Sequence, residues 1–239
     1  MKRLITMAAT IMLLFPHIVS GQITERHDTL EAAVKTDSRR VAEAIGRVST
    51  NLEGVRRVIS PLGEGDPIRW AQGLPGVSTG ADGTTAFYVR GGNMGNNLIT
   101  LDGVPVYGYS HLLGLTTIIP QDVMSEATLL KGGFDGGSSN FTAGHLAITT
   151  RDPDMEKFRM NAALNNFLAS VSLETPINEK MSFMFSGRIS PLAWEYKTVR
   201  GLLPDLLGGF DNFGAGVGDL YGKFRWQTGK RSFLNVSFL

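Results

Sequence analysis

No cysteine occurs in the 239 residues, which excludes disulfides, thiolate nucleophiles and every cysteine-containing zinc site. Neither sign of charge dominates: 23 Lys and Arg against 22 Asp and Glu leave a formal net charge of +1. Such a chain lacks the concentrated basic face that a nucleic-acid partner requires. Charged residues make up only 19% of the chain and hydrophobic ones 42%, which excludes a disordered tail and a coiled coil. Long apolar runs are missing too. The run over residues 4–15, behind Lys2 and Arg3, falls short of the roughly 20 residues that a spanning helix needs, so any membrane-embedded part must be β structure. Pro16 and His17 break that run, and Val19, Ser20 and Gly21 form a small-residue site before Gln22; residues 1–21 therefore read as a cleaved secretory signal.

The usual motifs of catalysis are absent as well. There is no Gly-x-Ser-x-Gly elbow, no Gly-x-Gly-x-x-Gly fingerprint, no Walker loop and no His-Glu-x-x-His. His17, His27, His111 and His145 are widely separated and lack ligand spacing. The expectation is a protein that is not an enzyme, with no catalytic residue, no metal site and no cofactor.

What is abundant is glycine, 29 residues without a three-residue period, against a usual share of about 7%. This favours a turn-rich β protein. Residues 22–40 form a polar arm around the short apolar patch Leu30, Glu31, Ala32, Ala33 and Val34. The patch reads either as part of a disordered terminus or as a strand-forming peptide that adds to a partner's sheet edge.

Residues 41–152 read as an α+β unit of short elements. Asn51 to Val58 predicts a two-turn helix, and Asp66-Pro67 is an N-cap followed by proline at the first helical position, ended by Pro75-Gly76. Phe87 to Arg90 and Asn97 to Leu101 predict two strands about a glycine-rich reversal, which would bring residues 79–85 and 103–117 to one end. Asp102-Gly103 is a turn, and Val104-Pro105-Val106 cannot be a central strand because proline lacks the ladder donor. A short helix at residues 120–124 and strands at 126–130 and 146–150 complete the unit.

Period-two alternation takes over in residues 153–239. Ala163, Asn165, Phe167, Ala169, Val171 and Leu173 predict one mostly apolar face, and Met181, Phe183, Phe185 and Ile189 another. Leu220, Gly222, Phe224 and Trp226 continue the pattern, followed by Leu234, Val236 and Phe238. Each run has bilayer-crossing length, and short and long connections alternate as periplasmic turns and extracellular loops do. A soluble β-sandwich gives a similar alternation, but Arg188, Lys223 and Arg225 keep to one face, which favours a membrane barrel.

One ordered set of motifs carries a family resemblance. It comprises Gly65-Asp66-Pro67-Ile68, Leu74-Pro75-Gly76-Val77, Tyr88-Val89-Arg90-Gly91-Gly92, the run from Asn97 through Asp102-Gly103 to Tyr107, Ser110-His111-Leu112-Leu113-Gly114 and Leu130-Lys131-Gly132-Gly133-Phe134. In this order, behind a signal peptide, it resembles the plug domain of TonB-dependent outer-membrane receptors of the Bacteroidetes type. The chain departs from the family pattern at residues 138–144, where a Tyr-Gly segment is usual, and it stops well before the 22 strands such a barrel resembles.

The resemblance implies an α+β plug, a small mixed sheet with short helices, followed by about four antiparallel strands of an incomplete outer-membrane β-barrel. It implies TonB-dependent active transport of a siderophore, vitamin or glycan. The implied partners are TonB, outer-membrane lipid, a small-molecule or oligosaccharide substrate and a surface lipoprotein; no nucleic acid is expected. The patch Leu30, Glu31, Ala32, Ala33 and Val34 falls where such receptors carry the TonB box. Arg90, Gly91, Gly92, Asp102 and Gly103 become gating or structural residues, with Arg90 expected to meet carboxylates or carbonyls on the barrel wall. Thr84, Tyr107, Tyr109 and His111 become substrate-facing candidates. A soluble β-rich envelope binding protein and a nonfunctional truncated receptor remnant are the alternatives.

Overall fold

The computed structural model describes residues 46–134, 141–165, 167–190, 216–229 and 232–239. The expected secretory signal and arm, residues 1–21 and 22–40, lie outside these residues.

In the α+β part the elements run β1 (Arg47–Asn51), α1 (Leu52–Arg56), α2 (Pro67–Gln72), β2 (Val77–Thr79), β3 (Phe87–Val89), β4 (Asn97–Leu101), β5 (Val104–Pro105), β6 (Ser110–His111), β7 (Thr116–Thr117), β8 (Met124–Leu130) and β9 (Gly144–Thr150). Three-residue 3₁₀ turns sit at Met94–Asn96, Leu112–Gly114 and Gln121–Val123. The helices start where their caps dictate. Asn51 accepts from the Gly54 amide at 3.1 Å, and Asp66 Oδ1 accepts from the amides of Ile68 at 2.8 Å and Arg69 at 3.3 Å, with Pro67 first in α2. Ile68 and Ala71 of α2 then turn into a core shared with Phe87, Val89, Leu129, Leu146 and Ile148.

The main sheet has the order β1-β8-β9-β4-β5, antiparallel except between β4 and β9. This corrects the expected hairpin of Phe87–Arg90 with Asn97–Leu101. β3 pairs with β2 in a separate two-stranded sheet, whereas β4 takes parallel β9 as its neighbour. The physical reason is burial: Leu98, Ile99, Thr100 and Leu101 are all buried, so this run is an interior strand needing partners on both edges. The Asn97 side chain still ties the two strands, donating to the Phe87 carbonyl at 2.8 Å. Gly144 is required at the closest approach, since a Cβ there would stand 2.6 Å from Val89 Cγ2. Strands β1, β2, β5, β6 and β7 are additions to the expected set: β5 is an edge strand beside β4, and β6 pairs with β7.

The second sheet is an antiparallel meander of β10 (Arg159–Leu164), β11 (Ala169–Asn178), β12 (Met181–Ile189), β13 (Gly218–Gln227) and β14 (Phe233–Phe238). Five strands stand here where about four are expected. The run from Ala163 to Leu173 is two strands, not one, because Asn165 makes a corner: its Oδ1 accepts from the amides of Phe167 and Leu168, both at 2.8 Å. Ala163 therefore lies opposite Ser170, on the other face from Ala169.

The sidedness of this sheet is inverted relative to a water-soluble one. Ser170, Ser172, Glu174, Ser182, Ser186, Arg188 and Lys223 are buried against the α+β unit, while Ile189, Leu220, Trp226, Leu234, Val236 and Phe238 are exposed on the far face. Register places Ser170 opposite Arg188, Ser172 opposite Ser186, and Met184 opposite Lys223 on the inward face. Phe183 and Phe224 face each other outward. Gly222 also lies outward, and its missing side chain lets the Phe238 ring lie across it, since a Cβ there would stand 2.3 Å from the ring. No helix among the described residues is long and apolar enough to cross a membrane. An apolar face exposed over strands of nine and ten residues suits hydrocarbon, with the polar lining turned inward.

Candidate functional site

The candidate site is the interface between the α+β unit and the inward face of strands β11–β13. It has two ends. The end toward the turn at residues 179–180 is built around Thr150, the last residue of β9. Thr150 Oγ1 donates to Asp102 Oδ2 and accepts from the Tyr221 hydroxyl at 3.0 Å and the Lys223 ammonium at 2.9 Å, so its hydrogen-bonding capacity is full. Asp102 Oδ1 also accepts from the Thr150 amide at 2.7 Å. Beyond it, Asp152 pairs with Lys223 at 3.1 Å and with Arg225, whose guanidinium lies over the Phe233 ring at 4.0 Å. Arg151 pairs with Glu174, whose other oxygen accepts from the Asp154 amide at 3.0 Å. Asp154 in turn accepts from the amides of Glu156 and Lys157, bonds that hold its carboxyl below the ordinary carboxylate range. The chain is thus clamped where it passes from one sheet to the other.

The opposite end adjoins the long connection between β12 and β13. Arg188 and Asp219 are directly opposite across those strands. The Arg188 fork spends its nitrogens on three acceptors: Asp219 Oδ2 at 2.8 Å from Nε, Glu64 Oε2 at 2.7 Å from Nη1, and the Thr117 carbonyl at 2.5 Å from Nη2. His111 Nε2 stands 2.5 Å from Asp219 Oδ1. Burial pushes the Glu64 carboxyl upward against the pull of Arg188. Nearby, Gly65 donates to Gln121 Oε1 at 2.9 Å, and Asn165 at the β10–β11 corner donates to the Leu62 carbonyl at 3.2 Å.

The residues singled out in the sequence are distributed unevenly over this interface. Leu30, Glu31, Ala32, Ala33 and Val34 lie outside the described residues. Arg90 follows β3 at φ +50° and Gly91 at +77°; the Arg90 amide donates to the Gly76 carbonyl at 2.9 Å, and the Gly92 amide closes the turn on Val89 at 2.9 Å. Arg90 is exposed, and its guanidinium lies over Gly46 and Gly132, whose missing side chains leave it room. Asp102 and Gly103, at φ +50° and +84°, form the two-residue turn between β4 and β5 with both central residues left-handed. Asp102 is therefore more than a turn former, because its carboxylate binds Thr150 and lies 3.6 Å from Lys223.

The loops at residues 79–85 and 103–117 do come together, although their strands belong to different sheets. Arg69 donates to the Gly83 carbonyl and, at 3.4 Å, to that of Leu115. Thr84 is half-buried and its hydroxyl donates to the Ala81 carbonyl at 2.7 Å. Tyr107 is 80% exposed. Tyr109 packs against the core, and burial pushes its phenol up. His111 is held by Asp219. Among the described residues no group of three or more His, Asp or Glu side chains is placed to hold a metal ion.

Glu64, Asp219, Asp152, Thr150, Tyr221 and the Arg151–Glu174 pair were not singled out from sequence. A signal exists for those on strands: polar residues of one parity whose neighbours of the other parity are apolar face a lining, not water. For Glu64, in a glycine-flanked loop, no periodicity points to a partner on a distant strand.

Residues 56–143 match the family described as TonB-dependent Receptor Plug Domain. The fold is shared with solved outer-membrane receptors of Pseudomonas aeruginosa. The siderophore receptor PirA is 21% identical with a TM-score of 0.55, over 81% of this chain and 33% of that one. A variant of the ferric enterobactin receptor PfeA is 19% identical with a TM-score of 0.51, over 80% and 32%. FpvA in complex with a heterologous pyoverdine is 12% identical with a TM-score of 0.51, over 80% and 24%. The chain thus spans a third or less of the length of these structures. No curated protein matches it significantly.

Proposed function

From a chain that carries the plug domain of TonB-dependent receptors and the first antiparallel strands of a barrel, we propose that it acts in TonB-dependent uptake of a nutrient across the bacterial outer membrane. The observation that carries this reading is the inverted sheet: charged and hydroxyl side chains buried against the plug, large apolar ones exposed outside. A soluble envelope binding protein would place that outer face in water, at the cost of a broad exposed apolar surface.

In this reading residues 1–21 direct export and are removed, and the arm with Leu30, Glu31, Ala32, Ala33 and Val34 pairs with TonB by strand addition. Substrate, whether siderophore, vitamin or glycan, is met at the end of the plug that holds Thr84, Tyr107, Tyr109 and His111. Tyr107 offers stacking surface without fixed charge, which suits a neutral or sugar-like ligand. A surface lipoprotein is the remaining proposed partner. Arg90, Gly91, Gly92, Asp102 and Gly103 shape the plug turns that move when the arm is pulled. No covalent chemistry is required of any residue.

The test is uptake by cells carrying the intact receptor, offered a ferric siderophore, a cobalamin and a maltooligosaccharide in turn. Leu30→Pro or Val34→Pro, which removes a ladder donor, is expected to abolish uptake of the accepted compound while its binding persists. Unchanged uptake would remove the coupling role from the arm.

A further inference from the structure

The main plug sheet has two unlike faces. Register puts Leu129, Leu146 and Ile99 in one row and Ala127, Ile148 and Leu101 in the next. These residues form the core with Val55 of α1 and with Ile68 and Ala71 of α2, and Met184 and Tyr221 of the second sheet join the same cluster. On this side the plug is fastened to the strands. Glu64 accepts from Arg188, the Leu62 carbonyl from Asn165, and the Thr150 hydroxyl from Tyr221 and Lys223.

The opposite face consists of the residues of the other parity. Ser49, Thr128, Ala147, Thr100 and Pro105 make one row across β1, β8, β9, β4 and β5. Asn51, Glu126 and Thr149 flank that row on one side, and Arg47, Leu130, His145 and Leu98 on the other. Leu98 is buried yet stands apart from the core cluster, as its place on this face requires. The hydroxyls of the row are answered within the sheet: Ser49 bonds Thr128 at 2.8 Å, Thr128 donates to Glu126 at 3.0 Å, and Thr100 bonds His145 at 2.9 Å. The row holds short side chains alone, and hydroxyls already satisfied gain little from a further partner on a wall.

We propose that the substrate crosses along this hydroxyl face, on the side of the plug turned away from β11–β13, while the core side stays fastened to those strands. The inference rests on the transport reading above and deepens it by naming the route and the class of solute. The contrast in bonding decides the side. Parting the core side would break the buried Arg188–Glu64 pair and uncover Met184 and Tyr221 together with the core they complete, which is strongly unfavourable. Parting the hydroxyl face uncovers groups that water or a solute satisfies in turn. Serine and threonine hydroxyls both donate and accept, so this lining exchanges hydrogen bonds with a polar, hydroxyl-rich solute such as an oligosaccharide. Its central row offers an apolar solute no slot.

Because the chain has no cysteine, single introduced cysteines report on each side. Thr100→Cys and Thr128→Cys probe the hydroxyl face, and Ser172→Cys and Ser186→Cys the fastened side. The native residues are 3%, 7%, 1% and 0% exposed, so every thiol starts buried. The intact receptor in detergent micelles is treated with a maltotriose-linked maleimide, in urea below the concentration that unfolds it. Thr100→Cys and Thr128→Cys are expected to react roughly tenfold faster than Ser172→Cys and Ser186→Cys. Equal rates, the reverse order, or no reaction at any position before global unfolding overturns the proposal. Two positions on each side keep the comparison decisive when one variant fails to fold. A maleimide on an alkyl chain of similar size should react more slowly at the hydroxyl face; a faster reaction overturns the solute class. In cells, with the maltotriose reagent outside, Thr100→Cys and Thr128→Cys should label while the inner membrane is energised and not after a protonophore is added. Energy-dependent labelling of Ser172→Cys or Ser186→Cys instead overturns the route. Labelling that ignores energy at all four positions, with the micelle order as expected, removes the transport reading and the route with it, so the two failures are distinguishable.

Discussion

Arg188 on the barrel wall and Glu64 on the plug are 124 residues apart in the chain and 2.7 Å apart in the fold. Their pairing docks a loop with no regular structure of its own onto a membrane-type sheet, and it does so through a guanidinium whose Nε and two terminal nitrogens all donate to protein acceptors. A lysine could not reproduce this, because an ammonium offers no planar fork.

Arg188→Ala is accordingly expected to leave the buried Glu64 carboxyl without its cation, and Asp219 with His111 alone, and to weaken plug docking by about 3–5 kcal/mol. Arg188→Lys should recover only part of that loss. Limited proteolysis of the membrane-inserted protein reads the effect as faster cleavage in residues 60–66. If Arg188→Ala left the cleavage rate unaltered, the pair would be a bystander in docking.

Thr150 offers a second test, at the clamped end. Its hydroxyl is the meeting point of Asp102, Tyr221 and Lys223, so Thr150→Val strands three partners at once. The expected loss is about 1–3 kcal/mol, and Tyr221→Phe should add little to it because both changes break the same bond. Denaturant unfolding of the single and double variants gives the cycle; full additivity would contradict a shared node.

Asp66 carries a pH dependence whose sign can be stated. It is buried, and burial pushes its carboxyl above the ordinary range despite the opposing pull of the Ile68, Arg69 and Thr117 amides. A carboxyl raised in the folded state contributes most below its unfolded value, near about pH 4, and loses that contribution as pH rises through the folded value. Asp66→Asn keeps an acceptor for the Ile68 and Arg69 amides and removes the charge. It should therefore match or exceed the wild type in unfolding free energy at pH 7 and lose that advantage toward pH 4. Asp66→Ala should cost about 1 kcal/mol through the lost cap. A wild type more stable than Asp66→Asn at pH 7 would reverse the sign.

How much of this was legible beforehand follows from the range of the interactions. Asp66-Pro67 announces α2 because a cap and its helix are local, and Phe183, Phe185 and Ile189 announce an outward face because parity is local. The Asn165 corner was hidden because Ala163 to Leu173 alternates without interruption across it, and a two-residue period does not show which side of a turn a residue lies on. The parallel pairing of β4 with β9, and the partners of Arg188, Lys223 and Arg225, depend on residues tens of positions away. A charged residue confined to the lining face is visible in sequence; the plug carboxylate that meets it is not.

The sidedness of the five strands makes the last prediction, and it discriminates sharply because soluble and membrane sheets answer it with opposite signs. Phe185 lies outward near the middle of β12, and Trp226 lies outward near the end of β13, opposite Met181 at the start of β12. In water, replacing either by arginine would remove exposed apolar surface and leave stability unchanged or improved. In a bilayer the cost depends on depth: about 2–4 kcal/mol at the midplane and about 0–1 kcal/mol near the interface. Phe185→Arg should therefore destabilise the protein in lipid vesicles far more than Trp226→Arg does, as measured by denaturant unfolding from those vesicles. Equal and negligible effects at the two positions would place the outer face in water and with it refute the barrel reading, since a face that meets hydrocarbon must disfavour an arginine more at mid-depth than near the interface.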